Sequence, residues 1–164
     1  MNFGDFHKYF LQVCQKHQRE GKAKGFAFIF YAGGGVVDAI VNEQDGYEEL
    51  NTLSGKDATV FYLSNPRVSG DQFNEFNRVF IHALGIENEI EAPCMVFFQV
   101  TGESITDIDY ESIDESLPYH LALDQIRRKF TEVISYWRSQ GDFSGLKGFP
   151  LLGFIANLRG GFSI

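Results

Sequence analysis

The chain is short of the residues that make disulfide scaffolds, membrane spans and nucleic-acid binders. Two cysteines, Cys14 and Cys94, stand among 164 residues. Two thiols supply neither a disulfide framework nor a zinc-ligand set. No apolar run approaches the ~20 residues that a spanning helix requires. Asp5, His7 and Lys8 interrupt the first apolar residues, so no secretory signal core is expected there. Positive charge is scarce, and the formal net charge is -8. That balance argues against phosphate backbones as partners. These absences lead us to expect a soluble, cytoplasmic protein with reduced thiols and neither nucleic acid nor membrane as partner.

The shortage of cations is also local. Residues 1–24 hold Lys8, Lys16, Arg19, Lys22 and Lys24 against Asp5 and Glu20. Residues 86–116 hold nine acids, from Glu87 to Glu115, and no lysine or arginine. Such a stretch is either a solvated acidic face or a docking surface for a basic partner. Within it, Asp107, Asp109, Glu111 and Asp114 do not make a calcium loop, because the glycine needed at the sixth position is missing. His7, His17, His82 and His120 are scattered, and no metal site or cofactor is expected.

What the chain has is apolar mass. Hydrophobic residues make up 44% and aromatics 15%, with 17 phenylalanines. One domain with an ample core fits this length and composition. Phe3, Phe6, Phe10, Val13 and Cys14 recur at helical spacing, which predicts a helix over 3–19. Residues 25–32 (GFAFIFYA) are uniformly apolar and read as a buried central strand. Gly33-Gly34-Gly35 breaks it, and Val36, Val37, Ile40 and Val41 begin a helix that Gly46 is expected to split. Residues 57–64 (DATVFYLS) are rich in β-formers and end at Asn65-Pro66. Phe73, Phe76, Val79, Phe80, Ala83 and Leu84 mark the next helix, closed by Gly85. Pro93–Val100 reads as a strand with proline at its head, the position where a strand tolerates one. Thr101-Gly102-Glu103 turns into a second strand over 103–110, in which Thr106, Ile108 and Tyr110 alternate with Asp107 and Asp109. Leu123, Ile126, Phe130, Val133 and Trp137 define a helix at about 118–139.

The expected order is a helix followed by β-α-β-α-β-β-α and a tail. A helix between two apolar strands favours a right-handed parallel crossover, and the last two strands form a hairpin. The fold class is therefore α/β, a mixed four-stranded sheet with helices on both faces.

In this order the chain resembles the thioredoxin-like fold. The resemblance covers residues 25–139. It rests on Phe26–Ala32 leading into a helix, on Leu63-Ser64-Asn65-Pro66, on Gly85-Ile86, on Ala92-Pro93-Cys94-Met95-Val96-Phe97-Phe98, and on Thr101-Gly102-Glu103. It implies a thioredoxin-like domain over 1–140, including the extra N-terminal helix, and a cis bond before Pro93. It leaves residues 141–164 as a Gly/Phe-rich extension packed on the same domain or at an interface, possible homodimerisation included. One departure is plain. The family's Cys-x-x-Cys would follow Tyr31-Ala32, where this chain has Gly33, Gly34, Gly35 and Val36. Dithiol exchange therefore does not carry over.

What remains is recognition. The resemblance implies a surface formed by Gly33, Gly34, Gly35, Val36, Ala92 and Pro93. It would grip a protein or extended peptide by strand addition, which uses main-chain groups and survives loss of the cysteines. No catalytic residue is assigned. The one candidate is Cys94, as the thiol of a peroxidase or a thiol transferase, against a plain role as a small buried residue. A third reading makes the Gly33–Gly35 turn a small-anion binder through free N–H groups, although the Lys-Ser/Thr of a P-loop is missing.

Overall fold

A computed structural model describes residues 24–42, 44–54, 58–63, 70–101, 104–140 and 148–150. It also describes single helical positions nearer the ends, among them Phe10 and Phe154. Five strands form one sheet: β1 (Lys24–Phe30), β2 (Ala58–Phe61), β3 (Cys94–Thr101), β4 (Ser104–Ser112) and β5 (Gly148–Pro150). Their order is β2-β1-β3-β4-β5. β1 pairs parallel with β2, and all other pairings are antiparallel. Four helices have both ends among the described residues: α1 (Val36–Asn42), α2 (Gln44–Ser54), α3 (Gly70–Ala83) and α4 (Tyr119–Gln140).

β1 and β3 form the centre because both faces of each are covered. Phe26, Phe28 and Phe30 alternate onto one face and are fully buried. There the Phe28 ring lies 5.1 Å from Phe61 of β2, 5.4 Å from Phe98 of β3 and 4.4 Å from Phe80 of α3. Phe10 and Phe154 close this cluster, with rings 5.7 Å from Phe28 and 6.0 Å from Phe98 respectively. On the opposite face Phe97 meets Phe130 and Trp137 of α4 at 5.0 and 6.5 Å. The phenylalanines thus supply both apolar layers that hold helices against the sheet.

The structure corrects three expectations. Among the described residues the sheet has five strands rather than four, because Phe149 pairs with Ile105 and adds a short strand to the β4 edge. Gly46 does not split the second helical region; the α1 and α2 spans part after Asn42, and Gly46 lies inside α2. A β-carbon on Gly46 would stand 1.8 Å from the Ile40 carbonyl oxygen, so the glycine lets the two helices touch. Thr106 does not share a face with Ile108 and Tyr110. A bulge opposite Phe98, with Asp107 at φ 55, pairs Thr106 with Gln99 and buries it. Cys14 and most of the 3–19 helix lie outside the described residues, as does most of the 141–164 extension.

Gly46→Ala separates two effects of opposite sign. Helix propensity alone would add up to ~1 kcal/mol of stability. The contact with Ile40 predicts a loss of about 1–3 kcal/mol instead. Urea unfolding checks the sign, and a midpoint that rises would contradict the close approach.

Candidate functional site

The β1–β3 ladder ends at Phe30 opposite Cys94. Beyond it, Tyr31-Ala32 and Pro93-Ala92 leave the sheet side by side. The β3–β4 ladder ends at Cys94 opposite Ser112, and Ile113 N–H donates to the Pro93 carbonyl at 2.9 Å. Three segments therefore meet at one end of the sheet: the Gly33–Val36 turn, Ala92-Pro93 and the 113–117 loop. The Ala92–Pro93 peptide bond is cis. Gly33 and Gly34 are exposed, whereas Gly35, Val36, Ala92 and Pro93 are half-buried.

Tyr31 anchors the turn. Its carbonyl accepts from Asn77 Nδ2 at 3.1 Å, and its ring packs 5.0 Å from Phe73. Its hydroxyl donates to the Leu63 carbonyl and accepts from Asn42 Nδ2 at 3.3 Å. Burial pushes this phenol up to about 12. The turn that follows needs glycine at Gly34, where φ is 90.

Two carboxylates take up two of the N–H groups of the turn. Asp38 Oδ2 accepts from Gly34 N–H at 2.7 Å, and Glu115 Oε2 accepts from Val36 N–H at 3.0 Å. Both suit the positive end of a helix. A β-carbon on Gly35 would meet Glu115 Oε2 at 2.0 Å, so glycine makes room for this cap. The loop carrying Glu115 is itself held. Asp114 Oδ1 accepts from Ser116 N–H at 3.0 Å and Ser116 Oγ–H at 2.6 Å, contacts that hold its carboxyl below the usual range. Gln125 of α4 donates to Ser112 O at 2.8 Å and accepts from Asp114 N–H at 3.2 Å. An external anion would have to displace Glu115 and Asp38, which weighs against the small-anion reading.

The main chain of Ala92 is different. Among the described residues, neither its N–H nor its carbonyl has a hydrogen-bond partner. Cys94, one residue beyond Pro93, is not on the shared surface. Its exposure is 0%, and burial pushes its thiol up to about 12. The thiolate that either single-thiol reaction requires is thus disfavoured, and the sulfur is not presented at the surface.

The acids of β4 are engaged by α4. Lys129 Nζ reaches Asp109 Oδ2 at 3.0 Å, and Arg128 reaches Glu111 Oε2 at 3.1 Å. Arg127 likewise joins Glu49 of α2 at 2.5 Å. Part of the acidic stretch therefore meets cations of the chain itself. Among the described residues no group of three potential ligands gathers to hold a metal ion, and no helix is long and apolar enough to cross a membrane.

Reasoning from sequence missed Glu115, Asp38, Tyr31 and Asn77. Asp38 carried a signal, since it stands three residues after Gly35, in the first turn of a helix where an acid can cap. Glu115 carried none, because nothing local separates it from the eight other acids of residues 86–116.

Two measurements follow. Glu115→Ala orphans the Val36 N–H and is expected to cost about 0.5–2 kcal/mol in urea unfolding; an unchanged midpoint would remove the cap. Tyr31 and Cys94 both have folded values above their ordinary 10.0 and 9.0. The unfolded chain loses these protons first, so stability is full below pH 9 and falls as pH rises toward 12. Cys94→Ala should flatten that fall, and an unaltered slope would contradict the burial of the thiol.

Comparison of the chain with protein-family models, with curated proteins and with solved structures finds no match. The geometry of this end of the sheet therefore carries the functional reading.

Proposed function

We propose that the chain is a non-catalytic module of thioredoxin-like architecture that grips a protein partner through an extended peptide segment. The peptide would add to the main chain at Ala92, beside Pro93, with the Gly33–Val36 turn as the opposite wall. The single observation behind this reading is that, among the described residues, the N–H and carbonyl of Ala92 have no hydrogen-bond partner, whereas Gly34 N–H, Val36 N–H and the Pro93 carbonyl beside it are engaged. Strand addition needs such a free donor and acceptor in register. The absence of sulfur at Gly33–Val36 and the burial of Cys94 favour recognition over redox exchange.

Gly33 is the position for a blocking substitution. It is exposed, and a β-carbon there meets only Asp38 Oδ2, at 3.8 Å. A random peptide library panned against the protein should yield peptides that bind in extended form. Gly33→Trp should weaken them tenfold or more in a fluorescence titration without lowering the unfolding midpoint. If the selected peptides bind Gly33→Trp as tightly as the parent, or no peptide is selected, the proposal fails.

A further inference from the structure

A groove of about 510 Å³ opens between α3 and the segment that returns from it to Ala92. Its size falls within the roughly 300–1,000 Å³ of ligand sites. One wall is a helical stripe that runs from Asn74 to His82. The eight steps between them, at a rise of ~1.5 Å each, make that wall about 12 Å long. Extended peptide spans ~3.3–3.6 Å per residue, so a peptide of about three residues fits within it.

The chemistry of the walls is specific. Ile81 and Ile90 are buried and give the groove an apolar lining. Asn77 is only 6% exposed, and its Nδ2 is engaged by the Tyr31 carbonyl. Its Oδ1 is left as a fixed acceptor on the wall. At the far end His82 Nδ1 and Glu87 Oε1 approach to 3.2 Å and occupy one another. Two charges remain. Arg78 stands on the helix wall and Glu91 on the return wall, and among the described residues neither has a hydrogen-bond or ion-pair partner. A planar guanidinium matches a carboxylate by two parallel hydrogen bonds. A carboxylate on the facing wall matches an ammonium.

We infer that this groove binds a short zwitterionic peptide of about three residues. Its terminal carboxylate meets Arg78, its terminal ammonium meets Glu91, and a central aliphatic side chain lies between Ile81 and Ile90. An N–H of the peptide donates to Asn77 Oδ1. The site goes beyond the surface proposed above, because its ligand is selected by free termini rather than by main-chain addition at Ala92.

The test titrates the native protein with the tripeptide Ala-Leu-Ala, followed by amide chemical shifts and calorimetry. The free peptide should bind and shift the amides of 74–82 and 90–92. Amidating its C-terminus or acetylating its N-terminus should each weaken it about tenfold or more, as loss of a charge-assisted contact does. Arg78→Gln should abolish discrimination against the amide, and Glu91→Gln discrimination against the acetyl group. Gly33→Trp should leave tripeptide binding within twofold, which separates this site from the other surface. No binding of the free tripeptide, or equal binding of free and blocked forms, overturns the inference.

Discussion

The seven-residue antiparallel ladder from Lys24↔Val100 to Phe30↔Cys94 is the constraint on which the rest of the structure depends. Side chains alternate along each strand, so a slip of one residue would turn every phenylalanine of β1 to the other face. Phe26, Phe28 and Phe30 hold the register by meeting Phe98, Phe61 and Phe80 across three elements. The same register decides where the strands end. It sets the glycine turn beside Ala92-Pro93 and leaves the 113–117 loop within reach of Val36. Core packing and site geometry are thus one decision made by one pair of strands.

At this end of the sheet the start of α1 is capped by carboxylates. Where a thiolate would gain from the start of a helix, the chain brings in a carboxylate from 79 residues away. Glu115 satisfies the donor and supplies the negative charge that a helix start favours. The Cys94 thiol beside Pro93 is folded into the core, with its proton held by desolvation. Among the described residues, what the surface keeps unspent is main-chain hydrogen bonding at Ala92 and the charges of Arg78 on α3 and Glu91 on the segment that returns from it. In the function proposed here, those are the groups that bind.

Much of the scaffold was legible because its elements obey local rules. The β1 and β3 runs read as buried strands since both faces are covered, and α3 read as a helix from the spacing of Phe73, Phe76 and Phe80. Gly85 at φ 75 ends that region as its sequence position suggests. The misses belong to tertiary context. Gly148-Phe149-Pro150 has little strand propensity and becomes β5 through the edge that β4 offers. The bulge at Asp107 breaks an alternation that the sequence displays without flaw. At the site, the glycines and Pro93 could be picked out by type, whereas Glu115, Tyr31 and Asn77 work only through partners distant in sequence.

The central claim is that the Ala92 main chain is open in the free protein and is the point at which an extended partner attaches. Amide hydrogen exchange at Ala92, measured free and with a bound extended peptide, tests it most directly. The account predicts rapid exchange in the free protein, against slow exchange for its neighbours in β3, and strong protection of Ala92 in the complex. Protection already present in the free chain, or exchange that a bound peptide leaves unchanged, would contradict it.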